Sequence, residues 1–233
     1  MGRSEWVLER LLVRATAAVA ESAGGRWRRI GLEGAGGLDW RPGSHVRVRV
    51  GELTLRSPRD LLRTYTVWDY DGDALELRVL EHGEGPGTRW AREVEPGTPV
   101  MFKAPEGRFT PREGAPGHLF VGEETASVAF AAMARTLDGP CRAVVETGDP
   151  ADRLPIEADV TWLDRGTASA ADPARLVEAV AAQEGLAPGT VAYLAGEART
   201  CQAVKRHLLR ERGWPRRDIV VKPFWTPGRR GMD

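Results

Sequence analysis

Residues Leu62–Trp90 have the sequence LRTYTVWDYDGDALELRVLEHGEGPGTRW, which begins with a strand pattern and ends at the start of a helix. Apolar and polar residues alternate over Leu75–Leu80, and a turn at Asp69–Asp73 separates this run from an earlier strand. A glycine-rich turn then leads to Trp90. This order predicts a strand, a hairpin, a second strand and a loop into a helix.

The first strand of this stretch carries side chains suited to one ligand. Arg63 and Tyr65 lie two residues apart and therefore share a face, while Thr64 and Thr66 point the other way. The planar fork of an arginine suits a phosphate, and a tyrosine offers a flat face to a ring system. A bulge near Thr66 would bring its hydroxyl to the same ligand.

The turn Gly85–Thr88 exposes backbone N–H groups at a helix N-terminus, which favours anions. Thr88 is expected to act as N-cap and phosphate ligand. Together with Arg63 and Tyr65, this turn predicts a site for a molecule with a flat ring at one end and a pyrophosphate at the other. The alternative is an edge hairpin with a surface arginine and an ordinary capped helix.

Composition excludes several classes of protein. Lysine plus arginine and aspartate plus glutamate number 33 each, so the chain lacks the basic excess typical of nucleic-acid binders. Cys141 and Cys201 lie far apart and suggest neither a disulfide scaffold nor a zinc site, and no metal ligands are predicted. The sequence shows no signal-peptide pattern and no membrane-spanning run, so we expect a cytoplasmic protein that does not bind membranes.

The first half of the chain has the pattern of a small antiparallel β-barrel, with about six short strands and one helix. Trp6–Val19 fits either an amphipathic helix or an opening strand. His45–Val50 alternates cleanly, which predicts a strand with its valines inside and His45 outside. Since no carboxylate is near His45 in the sequence, we expect no catalytic role for it.

From His118 onward, apolar runs alternate with helical patterns, which predicts an α/β unit with a parallel sheet. We therefore expect a barrel domain over residues 1–112, a linker at 113–117 and an α/β domain over 118–233. We expect the fold class to be an N-terminal antiparallel Greek-key barrel followed by a parallel-sheet α/β domain of the nucleotide-binding type.

Ligands of such sheets bind at the carboxyl ends of the strands. Gly122–Ala126 and Ala195–Ala198 each open a helix after a strand, and Thr125 is expected to cap the first of these helices. An acidic strand end at Glu146 favours a free ribose 2′-hydroxyl and hence NADH, whereas Arg165 suits a 2′-phosphate. The sequence leaves this choice open.

These motifs resemble those of the siderophore-interacting protein family, which belongs to the ferredoxin-reductase-like flavoproteins. The resemblance rests on Arg-x-Tyr-Thr at 63–66, His-Gly-x-Gly-Pro-Gly-Thr-x-Trp at 82–90, Gly-Glu-Glu-Thr-Ala at 122–126 and Ala-Gly-Glu-Ala at 195–198. The family often carries a proline soon after Glu-Thr-Ala, whereas this chain has Ser127-Val128-Ala129.

The resemblance implies an FAD-dependent ferric-siderophore reductase that takes electrons from NAD(P)H. Tyr65 and Thr66 would act at the reactive part of the flavin. The implied FAD-binding residues are Arg63, Tyr65, Thr66, His82, Gly85, Gly87 and Thr88. The implied NAD(P)H-binding residues are Glu124, Thr125, Gly196 and Glu197. The implied siderophore-binding residues are Lys222, Trp225, Arg229 and Arg230.

Two other functions remain open at this stage. One is a flavin reductase that serves a protein redox partner, and the other is a flavin-binding or chelate-binding protein without turnover. A ferredoxin in place of the nicotinamide donor is also left open. The C-terminal arginines fit a solvated, frayed tail equally well. We expect a monomer.

Overall fold

A computed structural model describes residues 12–51 and 62–228 of the chain. The chain divides into two compact units, residues 1–108 and 109–233, each with its own hydrophobic core. Phe109 packs in the core of the second unit, and Arg112 Nη1 pairs with Asp218 Oδ1 at 2.7 Å in the same unit. The linker that the sequence predicts at residues 113–117 stays a prediction.

The first unit is a closed antiparallel barrel with the strand order β1-β2-β5-β4-β3-β6. In it β3, β4 and β5 lie side by side and β6 returns next to β3, which is the arrangement of a Greek key. The predicted fold class is confirmed. The strands are β1 (Leu12–Ser22), β2 (Trp27–Glu33), β3 (His45–Arg49), β4 (Leu62–Tyr70), β5 (Leu75–Leu80) and β6 (Pro99–Glu106).

Side-chain alternation places the barrel core. Leu75, Leu77 and Val79 of β5 are buried, as are Val46 and Val48 of β3, while the residues between those of β5 are partly exposed. This is the half-buried pattern that a period of two predicts. The opening segment, for which the sequence allowed a helix or a strand, is a strand from residue 12 onward. Residues 6–11 lie outside the described ranges.

The prediction that His45 faces outward is wrong. His45 is buried, and its Nε2 lies 3.6 Å from Glu106 Oε1 of β6. The register between β3 and β6 shifts between His45 and Arg47, and such a bulge lets neighbouring residues turn to the same side. His45 and Val46 are therefore both buried, which strict alternation does not allow.

The second unit is a five-stranded parallel sheet with the order β11-β10-β7-β8-β9 and helices on both faces. Its strands are β7 (His118–Glu123), β8 (Cys141–Thr147), β9 (Asp159–Asp164), β10 (Val191–Glu197) and β11 (Ile219–Trp225). The barrel unit contains the helix α1 (Pro86–Glu93). The α-helices of the second unit are α2 (Ser127–Ala134), α3 (Ala174–Ala181) and α4 (Ala198–Arg210).

Alternate residues of β7 face different cores. Phe120 packs with Phe130 of α2, whereas Leu119 and Val121 belong to the cluster that contains Leu176 of α3. The chain proceeds from β7 through β8 to β9 on one side and then crosses to β10 on the other side of β7. The direction of winding therefore reverses between β7 and β10, and this is where sheets of this type bind ligands.

No helix within residues 12–51 and 62–228 is long and apolar enough to cross a lipid bilayer.

Candidate functional site

In the barrel unit, helix α1 begins directly against Arg63 and Tyr65 of β4. A Cβ atom added at Gly87 would lie 2.6 Å from Tyr65 Oη and 3.3 Å from Arg63 Cγ. A larger residue at this position would push the helix off the strand. Gly87 thus brings the N-terminus of α1 beside the two side chains that the sequence predicts as ligands.

Tyr65 is held in place by Trp90 of α1. The two rings stack with their centroids 5.6 Å apart and their planes 26° from parallel. Burial raises the pKa of the Tyr65 phenol above its usual range, so the hydroxyl is neutral and can donate a hydrogen bond at physiological pH. This pair gives the site a fixed aromatic surface beside a cation.

The prediction that Thr88 is the N-cap of α1 is wrong. The helix begins at Pro86 with Gly85 as N-cap, and Thr88 lies inside the first turn. The Thr88 hydroxyl instead donates to the carbonyl of His82 at 2.8 Å and so closes the loop that precedes the helix. Proline is favoured at the first helical position, where its missing N–H costs nothing.

Gly85, the N-cap of α1, has no side chain that could accept from the first N–H groups of the helix, and a helix N-terminus of this kind favours an anion. Arg63 lies against the same turn and donates from Nη1 to the carbonyl of Leu62 at 2.9 Å. The cation, the helix N-terminus and the stacked Tyr65 fit the pyrophosphate and ring system of FAD. The fit rests on the space that a glycine at 87 leaves for Tyr65 and Arg63.

The other predicted flavin residues lie near this cradle in sequence. His82 and Gly85 are exposed in the loop before α1. Thr66 is partly buried in β4, and its Cα partner in β3 is His45. The register of β4 against β5 shifts one residue further along, between Val67 and Asp69. Whether this bulge brings the Thr66 hydroxyl to the flavin stays a prediction.

In the α/β unit, the carboxyl end of β7 carries a buried carboxylate that the sequence analysis did not single out. Glu123 is 1% exposed and accepts hydrogen bonds from the backbone N–H of Thr125, from the Thr125 hydroxyl and from Trp225 Nε1. Its distance to the Thr125 nitrogen and to Trp225 Nε1 is 2.9 Å in both cases. Burial, with the adjacent charge of Glu124, raises the pKa of Glu123 to about 7.

The prediction that Thr125 caps the helix after β7 is therefore wrong. The cap is Glu123, whose side chain accepts from the Thr125 backbone at the start of a single 3₁₀ turn, Glu124–Ala126, that precedes α2. A glutamate can act in this way here because the strand ends with Glu123 in an extended conformation. Thr125 serves the same carboxylate with its hydroxyl.

Glycines allow β7 and β10 to approach each other at the winding reversal. A Cβ atom added at Gly122 would lie 2.3 Å from the carbonyl oxygen of Ala195. Gly196 has a φ of +107°, and a Cβ atom there would lie 2.4 Å from Glu123 Oε1. At the end of β10, Glu197 caps α4 by accepting from Thr200 N at 2.8 Å. The Ala-Gly-Glu-Ala segment thus opens a helix, as predicted.

The predicted nucleotide residue Glu124 is 3% exposed and forms a two-pronged ion pair with Arg165, in which both N–O distances are 2.5 Å. Glu146, at the end of β8, pairs with Arg175 at 2.7 Å. Burial raises the pKa of Glu146, although Arg175 acts in the opposite direction. The partners are 41 positions apart in the first pair and 29 in the second, in which Arg175 belongs to α3, so no local signal could have revealed them.

The residues predicted to bind the siderophore are only partly described. Lys222 and Trp225 lie in β11, an edge strand of the parallel sheet, and Phe224 between them packs against the core. Trp225 donates its indole N–H to Glu123, so its side chain lies at the carboxyl edge of the sheet. Arg229 and Arg230 lie outside the described residues.

Comparison with known proteins identifies both units. Residues 41–109 match the family described as "Siderophore-interacting FAD-binding domain", and residues 115–228 match "Siderophore-interacting protein". The barrel unit therefore carries an FAD-binding domain, in agreement with the cradle formed by Arg63, Tyr65 and Gly87.

An uncharacterized protein of Mycobacterium tuberculosis (strain ATCC 25618 / H37Rv) is 34% identical over 206 residues, which cover 76% of this chain and 71% of that protein. A ferric vibriobactin reductase of Vibrio cholerae is 29% identical over 178 residues, which cover 72% of this chain and 65% of that protein. The solved structure of a siderophore utilization protein from T. fusca matches with a TM-score of 0.81 at 27% identity and covers 95% of both chains. The chain belongs to the siderophore-interacting protein family, and its barrel unit carries the FAD-binding domain of that family.

Proposed function

We propose that this protein is an FAD-dependent oxidoreductase that passes electrons from NADH or NADPH through the flavin to a ferric siderophore and so releases iron as Fe(II). The observation that carries the proposal is the cradle of the barrel unit, in which Gly87 sets the N-terminus of α1 against Arg63 and Tyr65. The ferric vibriobactin reductase among its relatives supports the choice of substrate class.

In the barrel unit, Arg63 and the first N–H groups of α1 would hold the pyrophosphate of FAD. Tyr65, fixed by its stacking on Trp90, would pack on the isoalloxazine, and the Thr66 hydroxyl would hydrogen-bond its reactive edge. The loop of His82 and Gly85 would complete the pocket, since Thr88 ties it to the helix. When bound, FAD supplies the chemistry of accepting a hydride and of giving up electrons one at a time.

In the α/β unit, we propose that NAD(P)H lies where the winding reverses between β7 and β10. Glu124, Thr125, Gly196 and Glu197 stand at or next to these two strand ends. Gly122 and Gly196 have no side chains to project from these strand ends, so a dinucleotide would be able to lie close to the backbone there.

The acceptor is proposed from charge and from the chemistry of iron. Siderophores hold the hard ferric ion with oxygen donors, and the ferrous ion is held less strongly, so reduction releases the metal. Lys222, Arg229 and Arg230 would attract an anionic ferric chelate, and Trp225 would offer it an aromatic surface. A reduced ferredoxin is the alternative electron donor.

The proposal is tested by trapping Fe(II) with a ferrous-specific chromogenic chelator during anaerobic incubation of the FAD-loaded protein with a ferric siderophore and NADH or NADPH. We expect catalytic formation of the ferrous complex, and a large decrease when Arg63 is replaced by alanine. The matched control is Arg92→Ala, which removes an exposed cation of α1 that pairs with Glu81 and Glu84. If neither nucleotide supports reduction and a reduced ferredoxin does, the donor in the proposal is wrong; if no donor supports it, the proposed reaction is wrong.

A further inference from the structure

The ends of β8 and β9 carry the residues that would meet the adenosine ribose of a nicotinamide dinucleotide. In doubly wound sheets, the 2′ position of this ribose is recognised about 20 residues after the first strand–helix turn, where an acid accepts from a 2′-hydroxyl or an arginine binds a 2′-phosphate. Here that turn follows Glu123, and the corresponding strand end is Glu146 and Thr147 of β8. Arg165, just after β9, is next to this position.

The structure fixes Arg165 at the junction of three strand ends. Its backbone N–H donates to the carbonyl of Thr147 at 2.9 Å. Its side chain crosses Gly148, where an added Cβ atom would lie 3.2 Å from Nη2. The guanidinium then reaches Glu124 at the end of β7 and donates to both carboxylate oxygens.

The Glu124–Arg165 pair is largely enclosed, because the two side chains are 4% and 11% exposed. The fork that would bind a phosphate is thus already satisfied by a carboxylate of the protein. Withdrawing Arg165 from Glu124 would break this buried ion pair and place the Glu124 carboxylate beside the incoming phosphate, so that two like charges would lie close together.

The neighbouring arginines also pair with carboxylates, each through one nitrogen. Arg175 Nε donates to the buried Glu146 at 2.7 Å, and Arg153 Nη2 pairs with Asp164 at the end of β9 at 2.5 Å. A 2′-phosphate, which carries about two negative charges, would therefore enter a region in which these cations are already neutralised. A 2′-hydroxyl brings no charge and requires no rearrangement of these pairs.

We infer that the Glu124–Arg165 ion pair makes this α/β unit select NADH and reject NADPH. The inference rests on the proposed function, because it assumes that a nicotinamide dinucleotide binds at these strand ends. In this inference Arg165 binds the carboxylate of Glu124 and not a phosphate of the ligand. Glu124 is then the residue that determines specificity.

The test is to measure the dissociation constants of NAD⁺ and NADP⁺ for the FAD-loaded protein by isothermal titration calorimetry. We expect NAD⁺ to bind about tenfold more tightly or better, since like charges brought together across an interface are strongly unfavourable. Glu124→Gln removes the competing charge and leaves the Arg165 fork for a phosphate, so the preference should shift toward NADP⁺ by about tenfold. The exposed Glu178 provides the control, and Glu178→Gln should leave the ratio unchanged.

A double variant shows whether the gain comes from Arg165. If Glu124→Gln improves NADP⁺ binding by freeing that arginine, the added change Arg165→Gln should abolish the gain. Should Glu124→Gln fail to fold, the ratio in the natural protein decides the matter. Equal or tighter binding of NADP⁺ by the natural protein would overturn the inference and leave the proposed reductase intact.

An anaerobic absorption titration of the FAD-loaded protein with NADH and with NADPH, run beside the binding measurement, separates failure of the inference from failure of the proposed function. If neither nucleotide binds and neither bleaches the flavin, while a reduced ferredoxin does, the nicotinamide donor is wrong and the selectivity falls with it. If both nucleotides bind and bleach the flavin equally well, only the role of Glu124 and Arg165 is wrong.

Discussion

The barrel unit and the α/β unit differ in which charged side chains they bury. Among the described residues, the barrel buries only apolar side chains, Ser44, His45 and Thr88, and its ion pairs lie at or near the surface. The α/β unit also buries carboxylates, several of them at or next to the carboxyl ends of its strands. The buried carboxylates of its described residues are Glu123, Glu124, Glu146, Asp152, Glu197 and Asp218.

The difference follows from how each unit builds a binding site. In the barrel, β4 and the loop and helix α1 that follow β5 form the cradle around Arg63 and Tyr65, and all of them lie within residues 62–93, so a local motif determines it. In the parallel sheet, the site is assembled from the ends of strands that lie tens of residues apart. Carboxylates there cap helices or bind arginines. Remote partners stabilise Glu124 and Glu146, whereas Glu197 caps α4 through the nearby Thr200.

The largest effect is expected where the two central strands of the α/β unit approach each other. In Gly122→Ala, the new methyl group would lie 2.3 Å from the carbonyl oxygen of Ala195, a backbone atom that cannot move without shifting β10. We expect the free energy of unfolding to fall by about 3 kcal/mol, as for severe overpacking. Chemical denaturation measures it. Gly139→Ala is the control, because its nearest neighbour is 3.8 Å away, and an equal loss in both variants would contradict the close approach.

In the barrel, Arg63→Ala should weaken FAD binding by about 2 kcal/mol, or roughly thirtyfold in the dissociation constant, because a charge-assisted hydrogen bond is lost. Quenching of flavin fluorescence on binding measures the constant. Arg92→Ala, which removes an exposed ion pair of the same unit, should change it little. Unchanged affinity in Arg63→Ala would remove this arginine from the flavin site.

The buried carboxylates should make the stability of the α/β unit depend on pH. The pKa of Glu123 is about 7 in the folded protein, above its value in the unfolded chain, so the unfolded chain releases this proton first as the pH rises. Glu123 should therefore reduce the free energy of unfolding by about 2 kcal/mol between pH ~5 and pH ~7. Glu123→Gln should remove this dependence, and Glu178→Gln should retain it. Thermal unfolding at several pH values measures the slopes, and identical slopes in all three proteins would show that Glu123 does not titrate in this range.

The smallest effect concerns the hydrogen bond between Trp225 and Glu123. Trp225→Phe keeps an aromatic side chain and removes the indole N–H, which should cost about 1 kcal/mol. Because this hydrogen bond lowers the pKa of Glu123, its loss should raise that pKa further and extend the pH-dependent loss of stability to higher pH. Trp214→Phe, at another partly buried tryptophan of the unit, should leave the pH dependence as it is. A matching change in both variants would contradict the specific role of Trp225.

The same contrast explains what the sequence could predict. The cradle of Arg63, Tyr65 and Gly87 was predictable because all its parts lie within one contiguous stretch, and alternation was enough to place the valines of β3 and the leucines of β5. His45 was misplaced because a bulge against β6 is invisible in the sequence of β3 alone.

Cap positions and buried ion pairs were harder to predict. Thr88 and Thr125 have the side chains of typical caps, but Gly85 and Glu123 occupy those positions, since the cap is set by where the preceding loop or strand ends. The Glu124–Arg165 pair needs the residues that follow β7 and β9 to meet, and the Glu146–Arg175 pair needs the end of β8 to meet α3. The sequence offered Glu146 as a partner for a ribose 2′-hydroxyl and Arg165 as a partner for a 2′-phosphate. The structure shows that Arg165 binds Glu124.

The central claim is that the barrel unit holds FAD and passes electrons to ferric iron. The most direct test is an anaerobic absorption titration of the purified, FAD-loaded protein with NADH, followed by addition of a ferric siderophore. We predict that the flavin bands bleach with about one equivalent of NADH and return when the siderophore is added, with two equivalents of Fe(II) formed per flavin, since a hydride carries two electrons and each iron takes one. A protein that cannot be loaded with FAD, or a reduced flavin that the ferric siderophore does not reoxidise, would contradict the account.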